Sequence, residues 1–184
     1  MDIDEAYERL ARNLLIDSGK FFAERKHLSL GVGQIYSDVL FPVFNDQEQI
    51  FVTAEGFVYV LTHECDIDQA NVRPLNTHVL ICPIIDFRDF IAEFQAEHSE
   101  EHLASFLADL AKRNVSRVIY IPHLPPHLPY GGLLYFNRIT HAHVSTFRNQ
   151  SAQMICTVTN YGLREVDYAI VNHLLRPKVE ALPL

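Results

Sequence analysis

Apolar positions in this chain recur with two periods, and the expected architecture changes where the period changes. Over residues 4–25, Tyr7, Leu10, Leu14 and Phe21 or Phe22 return near every 3.6 residues. Asp2, Asp4 and Glu5 sit where the positive end of a helix dipole favours negative charge, so this segment predicts a helix, interrupted early by Gly19. From 28 to 44 the period shortens. Gly31 and Gly33 mark a turn, 35–40 reads as a strand, and Pro42 belongs at its edge or end because it has no amide proton to give a ladder. The polar run 45–49 predicts a loop, 50–53 a short strand, and Glu55-Gly56 a turn. Two runs rich in Val, Ile and Leu follow, 57–62 and 78–85, separated by turn-formers; they predict a pair of buried strands at the centre of the fold.

Beyond residue 85 the helical period returns. Residues 86–94 predict a loop or short helix. Ser99 is placed to cap a helix reaching Arg113, with Leu103, Phe106, Leu107 and Leu110 on one stripe, Glu100 and Glu101 in the first turn and Lys112 and Arg113 in the last. Residues 117–121, 133–139 and 154–159 read as strands. The three prolines between 123 and 132 remove donors and fix φ, so that stretch is a loop. Asn160 begins a helix over 163–175 with Leu163, Val166, Ile170 and Leu174 inward, ended by Pro177. The pattern is α+β and predicts one domain over 1–184: an N-terminal helix (1–27), a small barrel or sandwich (28–86 and 115–160), a helical insertion (87–114) and a C-terminal helix and tail (161–184).

Composition narrows the function classes. The 184 residues are 48% hydrophobic and 21% charged, as in an ordinary globular protein, and no stretch reaches the roughly 18 apolar residues of a membrane span, so no membrane partner is expected. The N-terminus carries acidic residues where a secretory signal carries positive charge, which predicts a cytoplasmic protein. Cys65, Cys82 and Cys156 lie far apart with no CxxC, so reduced thiols are expected rather than a disulfide framework or zinc ribbon. A net charge of −8 disfavours a large nucleic-acid surface. The material for a local basic patch is Arg73, Arg138, Arg148, Arg164, Arg176 and Lys178, scattered over different segments.

The groups with chemistry gather at the exit of the first central strand, in His63-Glu64-Cys65-Asp66 and Asp68. If the strand continues past Thr62, His63 and Cys65 share a face, and a thiolate paired with an imidazole is a nucleophile, making His63, Cys65 and Asp66 the candidate catalytic group. The bland alternative is a buried cysteine behaving as a small hydrophobe. As a metal centre, the candidates are His63, Cys65, His141 and His143, with Asp66, Asp68, His123 and His127 as further donors. His141-x-His143 places two imidazoles on one face of a strand, yet ten histidines in this length produce such spacings incidentally, and no paired-ligand motif is present. A divalent metal is therefore the one cofactor considered, with no cofactor at all as the default. Asp66, Asp68 and Asn71 lack the glycine and terminal Glu of a calcium loop and read as turn caps. Gly31-x-Gly33 lacks the rest of a dinucleotide fingerprint.

Gly33-Gln34-Ile35-Tyr36 opening a strand, then Tyr59-Val60-Leu61-Thr62, a polar link, and Val79-Leu80-Ile81-Cys82-Pro83-Ile84 resemble the strands of the PemK/MazF-like small barrels of toxin-antitoxin systems. The resemblance covers residues 33–86 and implies an SH3-like β-barrel carrying three added helices. In that family an Arg-Pro precedes the second of these strands and a Thr or Ser follows the third; this chain has Gly56-Phe57 and Ile85-Asp86 there, and its Arg73-Pro74 lies on the other side of the second strand. What the resemblance implies is thus a non-enzymatic module binding a protein partner, a second copy of itself or, against its charge, nucleic acid, in a bacterial stress or defence setting. The alternative is a thiol- or metal-dependent hydrolase or nuclease centred on His63, Cys65 and Asp66.

Overall fold

The structure, a computed structural model, describes residues 1–23, 29–45, 47–68, 70–71, 77–148 and 152–175. It begins with α1 (Ile3–Asn13), α2 (Ser18–Phe21) and β1 (Phe22–Ala23). The hairpin β2 (Gln34–Asn45) and β3 (Ile50–Val60) follows, then the short helix α3 (Glu64–Ile67) and β4 (His78–Asp86). Two helices, α4 (Phe87–Glu97) and α5 (Glu100–Ala111), lead to β5 (Val118–Ile121), β6 (Gly132–Tyr135), a 3-10 turn (Phe136–Arg138) and β7 (Thr140–His143). The chain closes with α6 (Val144–Arg148), β8 (Gln153–Val158) and α7 (Asn160–Leu174).

The local signals explain the helix ends. Asp2 accepts from the Glu5 amide and caps α1, Asp86 accepts from Arg88 and caps α4, and Ser99 accepts from His102 and caps α5. Thr159 caps α7 through the Gly162 amide, and the helix starts at Asn160 as expected. The helix expected over 4–25 stops at Asn13, because Leu14 takes an extended conformation; Asp17 then caps the separate turn of α2. Arg25 and Pro177 lie outside the described residues. The segment expected as loop or short helix after Asp86 is a helix, so the insertion holds two helices.

All strand pairings are antiparallel, in the order β1-β8-β2-β3-β4-β6-β5. β7 pairs with β4 as well, along His78–Ile81, while β6 takes Ile84–Asp86 on the same edge. The strand expected over 133–139 is therefore two strands broken by the 3-10 turn. Where a closed SH3-like barrel was expected, the sheet is open: its path starts at β1 and ends at β5, and no pairing joins them among the described residues. Helices flank the strands at the two ends of this path, α2 against β1 and α5 and α7 against β5, and covering the ends of a sheet is an alternative to the closure that removes edges in a barrel.

Three buried clusters fill the two sides of this sheet. Ile35, Tyr59, Cys82, Leu134, Cys156 and Val158 pack with Phe21 and with Val166 of α7. Ala6, Leu10, Phe87, Ile91, Leu103, Leu107 and Leu110 from α1, α4 and α5 pack on Val118, Tyr120 and Leu133 of β5 and β6. Tyr36, Val39, Phe41, Val58, Val60, Val79 and Ile81 form the third, with Ile67, Ala142 and Val144. Neighbours such as Ile35 and Tyr36, or Val58 and Tyr59, thus enter opposite clusters, which is why the central strands are continuously apolar instead of alternating. Of the residues expected inward on α7, Val166 is buried, whereas Leu174 is 65% exposed.

Cys82 and Cys156 lie in the first cluster, and burial pushes each thiol up from 9.0 to about 12. Burial, with Asp167 and Cys82 nearby, pushes the Tyr59 hydroxyl up too. A group that folding holds protonated gives its full stability below the unfolded value and loses it as pH rises towards the folded value. The urea midpoint is therefore expected to be level to about pH 8.5 and to fall steadily between about 9 and 12. A midpoint unchanged at about pH 11 would mean that water reaches these thiols in the native state.

Candidate functional site

The strand expected to carry His63 and Cys65 ends at Val60, and the chain turns through His63 (φ −67°, ψ 147°) into α3. His63 and Cys65 consequently do not alternate on a strand face. The turn is closed by the Asp66 amide donating to the His63 carbonyl (3.0 Å) and the Asp68 amide to that of Glu64 (3.0 Å). Ile67, 3% exposed, anchors the short helix in the third cluster and leaves Glu64, Cys65 and Asp66 exposed. Asp68 caps the following turn through the Ala70 amide (2.9 Å), and the Asn71 side-chain amide donates to the Cys65 carbonyl (2.8 Å). Asp68 and Asn71 are thus turn-makers, as their types suggest.

Opposite α3 stands the turn before β2. Buried Gln34 holds it: its amide donates to the Ser29 carbonyl (2.7 Å), and its carbonyl oxygen accepts from the Gly31 amide (3.1 Å) and the Tyr36 hydroxyl (3.0 Å). Gly31 lets this turn come close to α3, since a Cβ there would lie 3.1 Å from the Glu64 Cβ and 3.3 Å from its amide nitrogen. The third wall is α6, whose Phe147 packs edge-on against Tyr36 with centroids 5.0 Å apart. Arg148 of the same helix donates to the Ile67 carbonyl (3.4 Å).

These walls enclose an open cleft of about 660 Å³, lined by Ser29, Leu30, Tyr36, Glu64, Cys65, Ile67, Asp68, Asn71, Phe147 and Arg148. Its floor is aromatic and aliphatic, and among the described residues its rim carries the carboxylates of Glu64 and Asp68 and the guanidinium of Arg148. The volume falls within the roughly 300–1,000 Å³ of ligand pockets. Of the candidate catalytic residues, Cys65 and its neighbour Glu64 line the cleft, while His63 and Asp66, both exposed, are not among its lining residues. No histidine is among the described residues lining it.

The later histidines go elsewhere. His123 meets the Tyr7 hydroxyl (3.2 Å), and His127 packs against the ring of Phe57. His141 and His143 do share one strand face, flanking buried Ala142, and the residue brought to them is His78 rather than His63 or Cys65. Among the described residues, no three or more His, Cys, Asp or Glu side chains are arranged to hold a metal ion as they stand.

Of the basic residues, Arg138 lies over the Tyr135 ring and Arg148 is in the cleft; Arg73, Arg176 and Lys178 are outside the described residues. No helix among the described residues is long and apolar enough to cross a membrane. Sequence reasoning missed Tyr36, Phe147 and His78. For His78 the local signal was the alternation of 78–81, which sets His78 and Leu80 on one face and Val79 and Ile81 on the other; Tyr36 and Phe147 carried none for the cleft. Compared with models of known families, with curated proteins and with solved structures, the chain showed no match.

Proposed function

We propose that the protein is a binding module, and that its cleft takes a basic, partly apolar segment of a protein partner. The observation that carries this reading is the cleft itself: an apolar floor of Leu30, Tyr36, Ile67 and Phe147 under a rim where Glu64 and Asp68 outnumber Arg148. Such a surface suits a side chain with an apolar stem and a cationic head, which buries the one and leaves the other among carboxylates. Most of the rim is exposed, so the cleft suits a chain segment laid across it more than an enclosed small molecule. The overall charge of −8 draws a basic partner and repels nucleic acid. The resemblance to PemK/MazF-like strands falls on β2, β3 and β4, which here belong to an open sheet, and the suggestion of a bacterial toxin-antitoxin or defence setting rests on that resemblance alone.

A thiol-dependent hydrolase is the second reading, favoured by one fact: Cys65 is free and exposed in the cleft. Against it, no imidazole lines the cleft beside the thiol among the described residues.

Selection from a displayed peptide library is expected to enrich sequences pairing Arg or Lys with an aromatic residue. Glu64→Gln with Asp68→Asn is expected to weaken them about tenfold and to reduce their salt dependence, while Cys65→Ser leaves affinity unchanged. Enriched peptides indifferent to the carboxylates would sink the proposal, and turnover of a peptide that stops in Cys65→Ser would replace it with the second reading.

A further inference from the structure

The outer face of the β4–β7 pair lies apart from the residues of the cleft. His78 is directly opposite His143, and Leu80 opposite His141, so that His78, His141 and His143 occupy one exposed face while Val79, Ile81 and Ala142 point into the third cluster. The His78 ring lies 5.3 Å from that of His141 and 5.5 Å from that of His143, centroid to centroid. We propose that these three histidines form a site for a borderline divalent cation of the Zn²⁺ type, with a fourth coordination position open to water or a ligand.

The backbone carries the argument. Residues directly opposite in an antiparallel pair have Cβ atoms about 5 Å apart, and residues two apart on a strand present the same face. Three imidazoles bound at about 2.0–2.1 Å on three corners of a tetrahedron have ring centres roughly 5 Å apart, close to the two spacings seen from His78 to His141 and to His143. What the present arrangement lacks is ring orientation: the rings meet at 66° and 89°, edge against face, and the three do not hold an ion as they stand. Turning exposed rings is a fast rotamer motion, whereas the strand register, which is costly to change, is already in place.

Neutral imidazole also suits such ions by ligand type. Hydroxyls stand ready to orient two of the rings: Thr77 Oγ1 is 3.0 Å from His78 Nδ1, and Ser145 Oγ is 2.7 Å from His143 Nδ1. When these Nδ1 atoms carry the proton and donate to the hydroxyls, each Nε2 lone pair is free for the ion, the outer-shell arrangement common at histidine sites. The Ser145 amide now donates to His143 Nδ1 (3.2 Å), so loading moves the ring proton from Nε2 to Nδ1 and leaves that amide, in the first turn of α6, to solvent. The incoming positive charge also relieves an acidic chain.

The test titrates the full, untagged chain with Zn²⁺ alone by calorimetry and with Co²⁺ alone by visible absorption. One equivalent of each is expected to bind, with a rise in unfolding temperature. Thr77→Ala or Ser145→Ala should lower affinity by roughly 10- to 100-fold, as loss of an outer-shell partner does, and His78→Ala, His141→Gln and His143→Ala should each lower it by more than that. Cys65→Ser should bind unchanged. Absence of stoichiometric binding, binding that survives His78→Ala, or binding lost in Cys65→Ser would each overturn the proposal. All three histidines are exposed, so their variants are expected to fold, and circular dichroism of each checks it.

Discussion

Iodoacetamide added to the native chain near neutral pH is expected to alkylate Cys65 at least about a thousandfold faster than Cys82 or Cys156. The thiolate is the reacting species, and a thiol pushed up to about 12 is ionised in only about one molecule in 10⁵ at pH 7. The reagent must in addition reach the first cluster, where Cys82 is fully covered and Cys156 is 5% exposed. In urea all three are expected to react alike. Mass spectrometry of the native digest reads the ratio, and labelling of Cys82 at a rate within tenfold of Cys65 would mean that the core opens far more readily than its packing allows.

Selectivity alone does not speak for catalysis, because exposure by itself makes Cys65 the thiol that reacts. The discriminating quantity is its rate constant against that of a free thiol. A binding module predicts a value close to that of an ordinary exposed cysteine, and a nucleophile activated by a neighbouring base predicts one far above it. A bulky maleimide on Cys65 then serves the proposed function directly, since its adduct occupies the cleft and is expected to abolish peptide binding that Cys65→Ser leaves intact.

The parts of the fold that can be read from the chain are those where independent local signals coincide. In α5 a serine cap, glutamates in the first turn and a Leu103-Leu107-Leu110 stripe all point one way, and the helix is there with that stripe buried. The β2–β3 hairpin shows the opposite case. Pro42 and Glu55-Gly56 read as breakers, yet both lie inside strands: Pro42 pairs with Thr53, and Gly56 with Val39. β8 pairs with β2 only along Gln34–Ser37, so Pro42 lies where β2 has β3 alone as partner, and its missing donor interrupts no second ladder. The turn lies between Asn45 and Ile50, in the polar run where a loop was expected, and the hairpin end exposes Phe44, Ile50 and Phe51.

The site divides in the same way. Cys65 could be placed at a strand exit from its own neighbours, but the Tyr36–Phe147 floor joins residues more than a hundred positions apart, and nothing local encodes that meeting. His141 and His143 share a face by strand periodicity alone, which the sequence does show. Their pairing with His78 depends on the register between β4 and β7, and that is set by the 3-10 turn at Phe136–Arg138, which reads as unbroken strand in the sequence.

Gly131→Ala is expected to be the most damaging small substitution in the described chain, costing about 4 kcal/mol or more and leaving little folded protein. Gly131 has φ +75°, a conformation that penalises any Cβ by roughly 1–2 kcal/mol before packing is considered. The added Cβ would also strike the Ile121 carbonyl oxygen and come within 2.5 Å of the Tyr120 hydroxyl. Neither can retreat: Ile121 is paired in β5 with Gly132, and the Tyr120 hydroxyl donates to the Tyr130 carbonyl (2.9 Å) from within the second cluster. Gly131 itself donates to Leu128 and accepts from the Phe87 amide at the start of α4, so its displacement also pulls on the seat of α4, α5 and α1. Gly19→Ala is the control, because its Cβ meets only the Asp17 carboxylate at 3.5 Å, and its stability should stay within about 1 kcal/mol of the parent. Urea titration followed by circular dichroism compares the two. If Gly131→Ala unfolded within about 1 kcal/mol of the parent, the loop before β6 would have to be free to move, and the packing of α4 upon it would not be the constraint described.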